Sequence, residues 1–313
     1  MTTNRHAIGS LHVSPLCLGG NVFGWTADEE RSFAVLDAYA EAGGNFIDTA
    51  DGYSAWVEGH EGGESERVIG RWLAARGNRD SVVVATKVGT HPEFTGLAAP
   101  TIKRAAEESL RRLGTDRIDL YYTHFDDESV PVEEIMTALD DLVRAGKVRE
   151  IAVSNITPER LRASLAFSTR EKTARYAAIQ PHYNLVSRDT YEGERAALAT
   201  EYGLAAAPYY ALASGFLTGK YRPGASPTGP RAGGAARYLE TERGRRVLAA
   251  LDQVAAARSA AHATVALAWL ASRPTVVAPI ASARDTDQLP ALLAAADLRL
   301  TDAELDLLTT ASD

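Results

Sequence analysis

LCLGGNVFG, residues 16 to 24, sets a run of glycines directly behind an apolar strand, where a dinucleotide-binding sheet would carry its phosphate turn. The spacing is wrong for that turn. It requires Gly-x-Gly-x-x-Gly opening a helix, whereas Gly19, Gly20 and Gly24 follow at intervals of one and four. No P-loop occurs elsewhere in the chain, so the doubly wound alternative loses its usual signature. Outward from this stretch, short apolar runs alternate with helical patterns to the C-terminus. The runs after 16–20 are NFID (45–48), VVVATKV (82–88), IDLYYTH (118–124), VREIAVSN (148–155), AAIQPHYN (177–184), LAAAPYYA (204–211) and VVAPI (276–280).

Eight strands separated by helices imply a parallel sheet, because each crossover returns the chain to the same end. The runs are continuously apolar, as expected of strands covered on both faces. An eight-stranded β/α barrel in one domain, residues 1–313, therefore fits the length and the pattern. A hairpin turning at Gly9-Ser10 precedes it. Thr301 and Glu304 form a capping box that opens an extra helix near the C-terminus. Gly114 closes the helix built on Ile102, Ala106, Leu110 and Leu113, and Thr157-Pro158 starts another. Residues 221–240, YRPGASPTGPRAGGAARYLE, are too rich in Gly, Pro and Arg for core and read as a mobile loop.

Composition removes several classes of function. The chain is 45% hydrophobic and 24% charged, with a net charge of -8, which argues against a nucleic-acid or anionic-membrane surface. Cys17 is the only cysteine, so neither a disulfide framework nor a thiolate metal cluster is expected. MTTNRHAIGSLHVSP lacks the apolar run of a signal peptide and no stretch is long enough to span a bilayer, which makes the cytoplasm the expected address.

In a β/α barrel the reactive groups sit at the C-terminal ends of the strands. Those ends here carry Asp48 with Tyr53 in the following loop, Lys87, His124, Ser154-Asn155, Gln180, Tyr209, and the segment from Ser282 to Arg284. Taken singly, Asp48 could cap a turn, Tyr53 could pack on the surface, and His124 could be a satisfied rim histidine. Lys87 is harder to dismiss, because a lysine ending a buried strand needs an anion. Four such residues at one end of neighbouring strands favour a joint role. Without thiols or a metal cluster, Asp, Tyr, Lys and His suit proton transfer to a carbonyl oxygen. A nearby ammonium would bring the phenol of Tyr53 below its usual pKa of about 10. Asp48 would orient Lys87, His124 would hold the substrate oxygen, and a nicotinamide cofactor would have to supply the hydride.

These motifs resemble those of the aldo-keto reductase superfamily over nearly the whole chain: FIDTADGY, GGESERVIGRWL, ATKVG, DLYYTH, AVSN and PYYALASGFLTGKY, in the family's order. The resemblance implies an NADPH-dependent reductase of aldehydes or ketones, NADH being a second possibility, with Asp48, Tyr53, Lys87 and His124 as catalytic tetrad. It implies that Ser154, Asn155 and Gln180 hold the carboxamide and that Tyr209 stacks on the nicotinamide. Leu212, Ser214 and Leu217 would begin the pyrophosphate loop, while Ser282, Arg284 and Gln288 would hold the adenosine end. Trp25, Trp56 and His182 would line the substrate pocket by loop position, with simple loop packing the alternative for both tryptophans. Two positions depart from the family pattern, Ala211 where proline is usual and Leu292 where asparagine is common. Residues 222–237 would fold over the cofactor as a lid.

Three other functions compete. A glycoside hydrolase needs two carboxylates across the mouth, and Asp126, Asp127 and Glu128 read instead as a solvated loop. A metal-dependent hydrolase lacks a His-x-His pair at a strand end. A redox-sensing partner protein with slow turnover keeps the same tetrad. The expected partner is a small carbonyl compound, with no nucleic acid and no membrane.

Overall fold

The structure is a computed structural model that describes residues 5–222 and 232–313. It opens with the expected hairpin, β1 (His6–Ile8) and β2 (Leu11–Val13), with Gly9 in the left-handed region at φ 55°. The chain then runs β3 (Cys17–Gly19), α1 (Glu29–Glu41), β4 (Phe46–Asp48), α2 (Glu64–Arg76) and β5 (Val83–Val88). A small hairpin follows, β6 (Thr90–His91) and β7 (Phe94–Thr95), and then α3 (Ala99–Leu113). Next come β8 (Ile118–Thr123), α4 (Val132–Arg144), β9 (Val148–Ser154), α5 (Pro158–Glu171), β10 (Tyr176–Gln180), α6 (Glu194–Tyr202) and β11 (Ala205–Ala206). The C-terminal third holds α7 (Ala232–Glu240), α8 (Glu242–Arg258), α9 (His262–Ala271), β12 (Ile280–Ala281), α10 (Leu289–Leu293) and α11 (Asp302–Ala311).

Eight parallel strands form one sheet in the order β11-β10-β9-β8-β5-β4-β3-β12. A parallel bridge from Ala206 to Val276, with Val277 N–H donating to Ala206 O, joins the last gap and closes the (β/α)8 barrel. The seventh strand is shorter than its apolar run suggests. Tyr209 N still donates to Pro181 O on one side, whereas Pro208 has no N–H to offer the eighth strand on the other and joins it only through its carbonyl, which accepts from Ile280 N at 2.9 Å.

Helix boundaries follow local chemistry. Gly114 ends α3 in the left-handed conformation, the Thr157 side chain accepts from Arg160 N at the start of α5, and Thr301 with Glu304 closes the capping box of α11. One expectation is corrected. Part of the segment read as irregular is helical, since Ala232–Glu240 forms α7 and packs Tyr238 on Phe216 at 5.3 Å between ring centroids. Its alanines favour helix strongly enough to absorb the glycine pair. Residues 223–231, the centre of the proposed lid, lie outside the described residues. Arg222 at their edge makes a two-pronged ion pair with Asp252, both bonds 2.8 Å.

Two apolar layers surround the sheet. The outer one packs the helices on the strands. The inner one fills the barrel with Phe46, Val83, Ala85, Leu120, Tyr122, Ala152, Ala178, Ala205, Ala207, Ala278 and Ile280, and Ile8, Leu11 and Val13 of the hairpin plug its N-terminal end. Among the described residues no single helix is long and apolar enough to cross a membrane.

Candidate active site

Strand geometry dictates which side chains reach the open end of the barrel. Successive residues point to opposite faces, so a residue two positions beyond an inward-facing one also points inward. Phe46 leads to Asp48, Ala85 to Lys87, Tyr122 to His124, Ala152 to Ser154, Ala178 to Gln180, Ala207 to Tyr209 and Ile280 to Ser282. Seven polar side chains foreseen from seven strands thus form one ring above the apolar filling. Gly19 makes room in it, because a Cβ there would lie 2.5 Å from Ser282 Oγ.

Lys87 is the centre of the ring and is fully buried. Its ammonium has three N–H bonds and three acceptors: Asp48 Oδ2 at 2.7 Å, Thr49 O at 2.7 Å and Tyr53 Oη at 2.8 Å. Tyr53 donates to the same Asp48 oxygen over a longer 3.2 Å, and Gln180 Nε2 donates to Asp48 Oδ1 at 2.8 Å. The cost of burying the Lys87–Asp48 pair is met by this saturation, since every site on the ammonium and both carboxylate oxygens are occupied.

The expected lowering of the Tyr53 pKa is not observed. Burial and the negative charge of Asp48 push it well above the ordinary phenol value. The phenol therefore keeps its proton even though Lys87 Nζ donates to its oxygen at 2.8 Å. His124 moves the other way: burial and the nearby Lys87 hold it well below the usual imidazole range, and the ring is neutral. Its Nδ1 lies 3.1 Å from Thr90 Oγ1, its ring centroid 6.0 Å from that of Tyr53.

Beyond the tetrad, Asn155 takes a left-handed conformation (φ 49°) and donates to His124 O at 2.9 Å and Ser154 Oγ at 3.0 Å, while Tyr209 Oη donates to Asn155 Oδ1 at 2.8 Å. Ser154 Oγ donates to Gln180 O at 2.8 Å. Asn155, Gln180, His182 and Tyr209 line a cavity of about 300 Å³ that also meets Thr190 and Arg195. An aromatic wall with two primary amides suits a flat ring bearing a carboxamide. The amide donors are largely committed to the protein and Asn155 Oδ1 already accepts from Tyr209, so the remaining lone pairs of the Asn155 and Gln180 oxygens are the parts suited to such a group.

The remaining expected residues divide. Leu212 and Ser214 belong to a tight turn in which Tyr210, Ala213 and Ser214 all have positive φ. Leu217 is buried, with its N–H given to Leu212 O, so it is committed to the interior. Ser282 Oγ donates to Asn21 Oδ1 at 2.8 Å, and Gln288 caps its own loop by accepting from Arg284 N and donating to Asp285. The Arg284 guanidinium makes no ion pair among the described residues. Trp25 and Trp56 meet edge to face at 5.6 Å, and Trp56 approaches the Tyr53 ring at 6.0 Å. His182 stacks on Tyr209 at 5.4 Å. The loop after β8 is not simply solvated: Asp126 pairs with Arg160, and Asp127 accepts from Leu97 N.

Four residues without an assigned role in the sequence reading border this site. Phe125 stacks on His124 at 5.1 Å, Tyr210 adjoins Tyr209 at 5.2 Å, and Thr90 links His124 to the buried Asp51. Asp51 sits in the same short stretch as Asp48 and Tyr53. Its burial and its contact with Thr90 are not visible in the chain alone.

A barrel whose lumen ends in a hydrogen-bonded Asp, Tyr and Lys with a His ring beside the Tyr defines a class of oxidoreductases. Residues 15–313 match the Aldo/keto reductase family, and the chain belongs to it. It is 35% identical to norsolorinic acid reductase stcV of Emericella nidulans, over 95% of this chain and 78% of that protein. Similarity to the aryl-alcohol dehydrogenase [NADP(+)] of Phanerodontia chrysosporium is 32% identity, over 95% and 82% of the two chains. The uncharacterized oxidoreductase YrpG of Bacillus subtilis is 35% identical over 93% and 89%.

Proposed function

We propose that this protein reduces an aromatic aldehyde or ketone to the alcohol at the expense of NADPH, with Tyr53 as the proton donor. The contact of Tyr53 Oη with Lys87 Nζ at 2.8 Å and Asp48 Oδ2 at 3.2 Å carries this reading. The hydroxyl accepts from the ammonium, and its single proton rests on a long bond to a carboxylate. Turning that proton onto a substrate oxygen gives up little, while Lys87 stabilises the phenolate left behind. His124 would meet the same oxygen through Nε2, the ring nitrogen that Thr90 does not engage. A bound nicotinamide would supply the hydride. Asn155, Gln180 and Tyr209 would hold it, and Ser282 and Arg284 would lie at its adenosine end.

The substrate class rests on exposed apolar surface. Trp56 (54% exposed), Phe125 (52%) and Tyr210 (48%) are the large hydrophobic side chains left in solvent among the described residues, and each touches a ring of the site. Exposed apolar surface gathered at one mouth suits a planar apolar substrate. The names of two relatives, norsolorinic acid reductase and aryl-alcohol dehydrogenase, agree with it. In assays of NADPH oxidation, 2-naphthaldehyde is expected to exceed butanal in kcat/KM by about tenfold or more, from the burial of additional ring surface. Trp56→Ala should narrow that ratio. Equal efficiencies would contradict the aromatic assignment.

NADPH should be preferred over NADH, because Arg284 offers a charge-assisted pair to a 2′-phosphate. Arg284→Ala is expected to raise KM for NADPH by about tenfold or more and to change KM for NADH little. Equal losses for both cofactors would refute the pairing.

A further inference from the structure

Behind the tetrad lies a chain of polar groups that the proposed chemistry does not use. His124 Nδ1 is 3.1 Å from Thr90 Oγ1, and Thr90 Oγ1 is 3.4 Å from Asp51 Oδ1. Gly89 N donates to the other Asp51 oxygen at 3.3 Å. Close approach of Thr90 depends on Gly52, where a Cβ would lie 2.5 Å from Thr90 Oγ1 and 2.8 Å from its carbonyl oxygen.

We propose that Asp51, acting through Thr90, is a positioning residue that selects which ring nitrogen of His124 carries the proton. A threonine hydroxyl has one hydrogen, so its direction orders the chain. When Asp51 is protonated it donates to Thr90, Thr90 donates to Nδ1, and the ring proton sits on Nε2, facing the site. When Asp51 is ionised, Thr90 donates to it and Nδ1–H donates to Thr90. Nε2 is then a bare acceptor. Between these states the Asp51 proton passes to Thr90, the Thr90 proton passes to Nδ1, and one proton leaves from Nε2 to solvent.

The surroundings allow Asp51 to take either form. It is buried and makes no ion pair among the described residues. Glu66 from α2 faces it, Arg112 from α3 is itself paired with Glu66 at 2.6 Å, Tyr121 from β8 lies near, and the N–H groups of Gly89 and Gly52 supply the favourable contacts. Burial, with Glu66 adding to it, pushes the Asp51 carboxyl up to about 7. His124 faces Lys87 and stays neutral, so it has a single N–H to place.

This inference rests on the reductase reading of the same site, and there it gives a direction. A donor at Nε2 suits a carbonyl oxygen, and an acceptor suits an alcohol. Reduction should therefore weaken, and alcohol oxidation strengthen, as pH rises through the Asp51 transition.

The test is nitrogen-15 NMR of ring-labelled histidines in the whole protein without cofactor, followed from about pH 5 to about pH 9, a span that brackets imidazole and raised carboxyl titrations. His124 is assigned by comparison with His124→Gln. In the wild type, the proton-bearing and bare signals are expected to exchange between Nε2 and Nδ1 across this range. Asp51→Asn, whose oxygen stays on Gly89 N–H and whose amide donates to Thr90, should hold the proton on Nε2 throughout. Thr90→Ser should keep the exchange and Thr90→Val should abolish it. A wild-type tautomer that does not change with pH, or an unaltered exchange in Asp51→Asn or Thr90→Val, would overturn the proposal. The measurement needs no turnover, so its failure is distinct from absence of reductase activity, which the aldehyde assays report.

Discussion

Replacing Tyr53 with phenylalanine is expected to lower the rate of carbonyl reduction by about 10²–10⁴-fold, the contribution of a positioned general acid, while NADPH affinity stays nearly unchanged. The ring would remain, still facing Lys87 Nζ, which lies 4.5 Å from its centroid, and Trp56. Only the hydroxyl is lost, and with it the proton whose oxygen accepts from the Lys87 ammonium. Stopped-flow reduction and a fluorescence titration of cofactor binding on the same variant separate the two effects. Turnover close to wild type would remove Tyr53 from the chemistry. A large loss of NADPH affinity would make the residue part of the binding site instead.

The second large effect belongs to Lys87. Lys87→Met removes the cation from a fully buried pair and leaves Asp48 without its partner at 2.7 Å. Breaking such a pair costs about 3–5 kcal/mol, most of it from the uncompensated charge. The variant should lose reductase activity and unfold at markedly lower denaturant concentration. The double variant Asp48→Asn, Lys87→Met removes both charges and should recover most of the stability but none of the activity. If the double variant is as unstable as the single one, the loss comes from packing and the charge argument fails. If it regains activity, the pair is not part of the reaction.

The barrel could be read from the sequence because its strands are apolar on both faces and its helices carry their own caps. Gly114, Thr157 and Thr301 act within a few residues of where they stand, so their effects are visible in the chain alone. Placement of the polar ring was legible for a similar reason: a period of two, counted from the inward apolar residues, carries Asp48, Lys87 and Gln180 to one rim. What escaped depended on distant neighbours. The raised pKa of Tyr53 comes from burial and from Asp48 bending back onto it, neither of which is encoded in spacing. The same holds for Asp51, whose partner Thr90 lies on a short hairpin absent from the apolar pattern. Helix α7 escaped because two glycines beside a proline-rich run masked its alanines, although contact with Phe216 supports it once the chain is folded.

The account turns on hydride reaching a carbonyl carbon while Tyr53 supplies the proton, and isotope transfer tests that most directly. NADPH deuterated at its hydride position is incubated with 2-naphthaldehyde and either wild-type protein or Tyr53→Phe, and the product is analysed by mass spectrometry. The wild type is expected to yield naphthylmethanol carrying one deuterium on the carbinol carbon, and the variant almost none in the same time. Unlabelled alcohol from the wild type, no alcohol at all, or equal labelled product from both proteins would contradict it.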